Sequence, residues 1–188
     1  MQKNLHIGKK NHAKTLEIMR RMRYNIFVVQ NGAFWCITDR KRVFKGGICV
    51  LTGEYVHTID ARARVFVPAK LREELGEVFV LAKNVDGCLS LYRMTDWQAL
   101  TDKLAALPDS QTRQIKRFLF TFAAEVTPDS HGRITIPPVL REYAGLDAEA
   151  AFLGVGDHAE LWAADRWEAI KNGSDAAQIE KQMKELGL

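Results

Sequence analysis

Two short segments of the chain place an aspartate four residues before an arginine: Asp60-Ala61-Arg62-Ala63-Arg64 and Asp129-Ser130-His131-Gly132-Arg133. An arginine beside a tight turn presents a planar fork of donors that suits a phosphate or the acceptor edge of a guanine. The aspartate across the turn can accept from turn amides or from the guanidinium and so fix its direction. On those terms Arg64 and Arg133 are candidates for contact with DNA, and Asp60 and Asp129 are candidate loop positioners. Arg62 and His131 hold the equivalent third position of the two loops and are candidates for added phosphate contacts. The competing reading is that each pair only staples its own hairpin, the commoner role of an isolated turn aspartate with a nearby cation.

Catalysis would need a nucleophile with a base, a metal cluster or a phosphate-cradling loop. His57, His131 and His158 lie apart in sequence, and no G-x-x-x-x-G-K-[ST] occurs. Gly154-Val155-Gly156 is too short a motif to carry weight, and the cysteines form no Cys-x-x-Cys. The expectation is that the protein is not an enzyme and has no catalytic residue, cofactor, metal site or small-molecule substrate.

The elements that must position the loops come as an internal repeat. Asp60 and Asp129, Arg64 and Arg133, and Pro68 and Pro137 share one offset of 69 residues, and Leu71-Arg72-Glu73 keeps it with Leu140-Arg141-Glu142. After one inserted residue, Leu91-Tyr92 answers Leu161-Trp162 and Trp97 answers Trp167. Alternation in Arg64-Val65-Phe66-Val67 and Arg133-Ile134-Thr135-Ile136 predicts strands, each stopped by a proline that has no amide to donate. Short helices follow over 68–75 and 138–144, with glycine stops at Gly76 and Gly145. Val78 to Leu81 and Ala151 to Leu153 then read as buried strands, with hairpin partners in Cys88 to Tyr92 and Glu160 to Trp162 across turns containing Asp86-Gly87 and Gly156-Asp157. A module of about 45 residues is below the size at which one core suffices alone. The two copies are therefore expected to share one core, by pairing or exchanging strands.

The doubled D-x-x-x-R loops with strand and proline, Gly53-Glu54-Tyr55 just before the first copy, and the run from Pro137 to Leu146 together resemble the MraZ family, over roughly residues 51–170. That family is similar to the AbrB and SpoVT swapped-hairpin transcription factors. The resemblance implies an α+β fold of two tandem swapped-hairpin modules about a pseudo-two-fold core, with connecting helices. It also implies a sequence-specific regulator that binds double-stranded DNA, forms closed homo-oligomeric rings and acts on repeated promoter sites of the division and cell-wall gene cluster, its own promoter included. Duplication and resemblance together favour contact with DNA for Arg64 and Arg133, while the aspartates keep a structural role. One position departs from the family pattern: its usual glycine before the arginine is kept as Gly132 but replaced by Ala63. If that position needs a positive φ, either Ala63 is strained or the first loop differs. A third class of function, an antitoxin-like protein-interaction module of the same fold, fits less well, because an antitoxin usually joins one module to a disordered tail.

Net charge is +4 with a pI near 9.0, which alone would suggest a nucleic-acid partner. The distribution undoes that inference. Residues 1–49 hold eleven Lys and Arg against two acids, whereas residues 50–188 hold sixteen against twenty-one. The repeats are acidic overall, so binding must come from a local positive face, reinforced by multivalency in an oligomer. The basic extension reads as neither a convincing DNA arm nor a targeting segment. Lys45-Gly46-Gly47 is what a ribosome-binding sequence gives when read in frame, with Val50 as a GTG start downstream, so residues 1–49 are expected to reflect a translation start placed too far upstream. An intact mass that includes them would sink that reading. With no apolar run long enough to span a membrane, a cytoplasmic, nucleoid-associated protein is expected, and Cys88 reads as a small buried apolar residue.

The resulting division is a basic extension over 1–49, modules over 53–98 and 124–167, connecting helices over 99–123 and a tail over 168–188. Leu100, Leu104 and Leu107 give the helix from Trp97 to Leu107 an apolar face. Ser110 is the expected N-cap of a second helix reaching Ala124, with Ile115, Leu119 and Phe122 on one face and Phe118 and Phe120 widening it. That aromatic face is core or a contact between protomers, and Arg113, Lys116 and Arg117 read as its solvated side.

Overall fold

The computed structural model describes residues 50–188 and, before them, the backbone of residues 27–30, 33–38 and 42–45. The chain divides into two units, Met1–Ile48 and Cys49–Leu188. In the first, β1 (Phe27–Gln30), β2 (Ala33–Thr38) and β3 (Arg42–Lys45) form an antiparallel sheet in that order. The rest of the basic extension lies outside the described residues.

In the second unit the first repeat supplies β4 (Leu51–Thr58), β5 (Arg64–Phe66), α1 (Ala69–Leu75), β6 (Phe79–Lys83) and β7 (Leu89–Arg93). Helices α2 (Met94–Ala105) and α3 (Asp109–Phe120) follow. The second repeat then supplies β8 (Ala124–Val126), β9 (Arg133–Thr135), α4 (Pro138–Ala144), β10 (Glu149–Gly156) and β11 (Ala159–Ala163), trailed by α5 (Ala164–Gly173) and α6 (Ala176–Glu185). Pro68 and Pro137 cap α1 and α4 at φ −51 and −56, values the pyrrolidine ring already imposes. α4 ends at Gly145 in the left-handed conformation, where the amides of Gly145 and Leu146 return to the last turn.

Strand pairing interleaves the repeats. The six-stranded antiparallel sheet runs β4-β10-β11-β7-β6-β8, so the first strand of each repeat lies on the hairpin of the other. Val65 faces Ile134 in a separate two-stranded ribbon of β5 and β9, again one strand from each repeat. One core joins them. Val65, Val67, Leu71 and Leu91 from the first copy and Ile134, Ile136, Leu140 and Leu161 from the second are all wholly buried in a single cluster. Each such side chain contributes about 1.5–3 kcal/mol by leaving water, so separating the repeats would forfeit far more than a small domain's net stability. Gly154 sits opposite Gly53 where β10 meets β4. A Cβ on Gly154 would lie 2.3 Å from the Thr52 amide nitrogen, which explains this glycine by close strand approach and not by a phosphate.

The connecting helices depart from expectation in detail. α3 begins at Asp109 and is capped by Pro108 without a side-chain bond, so Ser110 lies inside the helix and is not its N-cap. It ends at Phe120, because Ala124 is already committed to the ladder with β6. α2 starts at Met94, directly from β7, and ends before Leu107, which is exposed. Phe120 packs on Trp97 at 5.3 Å and Phe118 on Tyr143 at 6.1 Å, whereas Ile115 and Phe122 remain exposed. Cys88 is fully buried just before β7, and burial pushes its thiol up to about 12. No described helix is long and apolar enough to cross a membrane.

Candidate functional site

The two Asp-Arg loops close in the same way. In the first, the Asp60 amide donates to the Arg64 carbonyl at 2.9 Å and the Ala63 amide donates back to the Asp60 carbonyl at 2.9 Å. Asp60 Oδ1 accepts from the amides of Arg62 and Arg64, each at 2.9 Å. Its Oδ2 takes the arginine fork, Nε at 2.7 Å and Nη2 at 2.6 Å. In the second loop Asp129 Oδ1 accepts from the amides of His131 and Arg133 at 2.9 and 3.0 Å, and Oδ2 accepts Nε and Nη2 of Arg133 at 2.9 and 2.8 Å.

A carboxylate that accepts this many donors is stabilised in its charged form. The Arg64 side chain, then the Arg64 amide, hold Asp60 down at about 2, and for Asp129 the Arg133 amide leads and its side chain follows, again to about 2. The aspartates thus both tie the turn and aim the arginine. Each arginine spends Nε and one terminal nitrogen on the aspartate, and its other terminal nitrogen makes no hydrogen bond among the described residues.

The ribbon brings both loops to one surface. Arg64 stands opposite Thr135 and Phe66 opposite Arg133, with Val65 and Ile134 turned inward at 0% exposure. Since side chains alternate along a strand and opposite residues share a face, Arg64, Phe66, Thr135 and Arg133 all point outward. The arginines are diagonal neighbours, about 7–8 Å apart in such a ladder. The loops are also stitched crosswise: the Val67 amide donates to the Gly132 carbonyl at 3.0 Å and the Ile136 amide to the Ala63 carbonyl at 2.9 Å. Arg62 and His131 are exposed beside this face, their amides held by the aspartates.

Ala63 is the strained alternative of the two the sequence left open. Its φ is 56, close to the 78 of Gly132, and it is the one described residue other than glycine with a positive φ. The loop keeps its bonds and stores the strain.

Spacing did not single out Arg72. Its Nε donates to the Val67 carbonyl at 2.9 Å, and its guanidinium lies 5.4 Å from the centre of the Phe66 ring and against Gly132. Its repeat partner Arg141 is directed elsewhere, with Nε on the Leu146 carbonyl at 2.7 Å. Among the described residues the histidines do not form a common site: His57 packs edge-on against Phe66 at 5.1 Å, while His158 stacks on Tyr92 at 5.1 Å and bonds Asp157 at 2.7 Å. Glu160, then Asp157, favour charge on His158 and raise its pKa. Among the described residues no group of His, Cys, Asp or Glu has the arrangement of a metal site.

The family model described as MraZ protein, putative antitoxin-like, matches residues 50–118 and again 119–187. A protein of Carboxydothermus hydrogenoformans named Transcriptional regulator MraZ is 44% identical over 130 residues, 68% of this chain and 91% of its own length. One of the same name from Acetivibrio thermocellus is 44% identical over 140 residues, covering 72% and 98%. Another from a Thermoanaerobacter species is 41% identical over 143 residues, covering 74% and 100%.

Proposed function

The chain belongs to the MraZ family and is a transcriptional regulator, and from that premise we propose that it binds double-stranded DNA through the outward face of the β5-β9 ribbon and its two flanking loops. The observation that carries this reading is the pair of forked arginines, Arg64 and Arg133, set on one face of a two-stranded ribbon with donors left over. A two-stranded ribbon fits the major groove, where arginine donors meet the O6 and N7 acceptors of guanine. Arg62 and His131 flank the face and contact phosphates. Asp60 and Asp129 hold the loops and do not touch DNA.

The proposed targets are repeated sites in the promoter of the division and cell-wall gene cluster, including the protein's own promoter. The two modules adopt the swapped-hairpin plan of the AbrB-like factors, in keeping with the exchanged strands β4 and β8. In the cell the protein is cytoplasmic and associated with the nucleoid. An acidic repeat region gives one protomer modest pull on a polyanion, so a closed ring of protomers supplies affinity by presenting many loops at once. The exposed side of α3, where Val85, Ile115, Phe118 and Leu119 line a shallow groove, is the proposed contact between protomers.

The test is binding of the purified chain to DNA from upstream of its coding sequence, against a scrambled duplex of equal length, over a salt series. Specific, salt-sensitive binding supports the reading, and equal affinity for both duplexes at every salt concentration overturns it. Light scattering that shows a monomer at micromolar concentration would remove the ring.

A further inference from the structure

We propose that the residue preceding each loop arginine gates a third arginine: Gly132 admits Arg72 to the binding face of the second loop, and the methyl of Ala63 bars Arg141 from the first. The inference rests on the DNA-binding reading and adds a determinant of unequal recognition by the two halves.

Arg72 and Arg141 occupy the same place in the repeat, one turn into α1 and α4. Arg72 reaches back to its own strand, donating Nε to the Val67 carbonyl and spreading its guanidinium over Phe66, which is on the outward face opposite Arg133. There it fills the space where Gly132 has no side chain. A Cβ on Gly132 would stand 2.7 Å from Arg72 Cζ, 2.9 Å from Nε and 3.0 Å from Nη1, distances at which one group must move. The equivalent seat beside the first loop is next to Ala63, whose backbone takes nearly the same left-handed φ and whose methyl therefore points into it. Arg141 does not use that seat. It turns to the far end of α4, with Nε on the Leu146 carbonyl at 2.7 Å and Nη2 3.4 Å from the Asp147 carbonyl.

In this seat the two ends of the ribbon therefore differ by one guanidinium, while Arg62 in place of His131 adds a cation to the first loop. Arg72, Phe66 and Arg133 form one cluster, while the other end offers Arg64 and Thr135 with a methyl in the third position. The Arg72 side chain has no hydrogen bond beyond that to Val67 among the described residues, so its terminal nitrogens are available to a phosphate.

The test uses the full chain and the duplex from upstream of its coding sequence. Each phosphate contact adds about 0.9, per engaged protomer, to the steepness with which log affinity falls against log salt. Gly132→Ala and Arg72→Ala should each lower that steepness by about 0.9, and the double variant should lose no more than either alone. Ala63→Gly should raise it by about 0.9, and Ala63→Gly with Arg141→Ala should lack the gain. Without DNA, the Arg141 Nε–H resonance should shift in Ala63→Gly as its bond to Leu146 is given up. Additive losses for Gly132→Ala and Arg72→Ala would overturn the gate. So would an Arg141 resonance that stays put in Ala63→Gly but moves in Asp147→Ala, which would assign the asymmetry to the helix end. If Gly132→Ala fails to fold, the Ala63→Gly arm decides, since glycine accepts the φ of 56. Failure of the DNA-binding reading is distinguishable, because it shows in the unaltered chain as equal affinity for the scrambled duplex, and the Arg141 resonance still judges the gate.

Discussion

The loop at Asp60–Arg64 and the loop at Asp129–Arg133 are bonded alike atom for atom, yet they stand in different surroundings. Both aspartates accept two amides on one oxygen and the arginine fork on the other, and both sit at about 2. Around that common frame Ala63 replaces Gly132, Arg62 replaces His131, and Thr135 stands where Phe66 stands at the other end of the ribbon. The frame tolerates a methyl at a left-handed position because enough bonds fix the turn to absorb the strain. Duplication has thus preserved the machinery that aims an arginine while allowing the surface around it to diverge.

The largest effect should follow from removing both arginines. Arg64→Ala with Arg133→Ala should abolish preference for the upstream duplex, each change costing about 1–3 kcal/mol of specific binding per engaged subunit, with the melting temperature close to that of the unaltered chain. Of the single variants Arg133→Ala should be the costlier, since its loop carries the Phe66-Arg72 cluster. Full-strength binding by the double variant would end the assignment of both loops, and equal losses in the two singles would end the asymmetry between them.

Next in size are changes to the frame itself. Asp129→Ala leaves two amides and a guanidinium without their acceptor, so melting temperature and DNA affinity should fall together, and Asp60→Ala should behave alike. Both folded-state values lie below the ordinary carboxylate value of 3.8, so the contribution to stability is fully present above that value and is lost as pH falls towards about 2. The melting difference between Asp129→Asn and the unaltered chain should accordingly persist from neutrality to pH 4 and shrink below it. A difference that vanished well above pH 4 would mean the carboxylate is not held as described.

The glycine position gives a smaller and opposite pair of effects. Ala63→Gly relieves a left-handed alanine that costs about 1–2 kcal/mol and adds unfolded-chain entropy of about 0.4–1 kcal/mol, for a net stabilisation on the order of 0.5–1 kcal/mol. Gly132→Ala incurs the same net backbone cost and must also displace the Arg72 guanidinium, so it should destabilise by about 0.5–1 kcal/mol or somewhat more. Thermal melting of the two variants checks both signs, and a destabilised Ala63→Gly would show that the first loop gains something from its methyl.

Much of this arrangement is legible in the sequence. Pro68, Pro137 and Gly145 sit at backbone angles that proline imposes or glycine permits, so the short helices declared themselves. The β6-β7 and β10-β11 hairpins followed from alternation and turn residues. The bonds of the loop aspartates to the turn are legible because a carboxylate two and four residues before free amides has little else to bond. What stayed hidden depended on tertiary context. Which strand lies beside which is a long-range choice, so the pairing of β4 with β10 could be expected only as some exchange between copies. The end of α3 at Phe120 is set by the demand of β6 for Ala124, and no helix-stop residue marks it. Arg72 and Arg141 are indistinguishable as Leu-Arg-Glu triplets, and their divergence arises from neighbours on the opposite repeat and at the helix end.

The finest distinction between the loops is the third residue, Arg62 in one and His131 in the other. Both are exposed, both donate only their amides to the turn, and neither side chain makes an ion pair among the described residues. A permanent guanidinium charge beside the face should release one counterion when it meets a phosphate, without reading sequence. His131→Arg should therefore steepen the salt dependence by about 0.9 and tighten the upstream and scrambled duplexes alike, and Arg62→His should do the reverse by a similar amount. Because the change is uniform, the ratio of specific to scrambled affinity should hold in both variants. If that ratio moved with either substitution, the third position would be reading bases, and the division between arginines that specify and flanking residues that anchor would have to be redrawn.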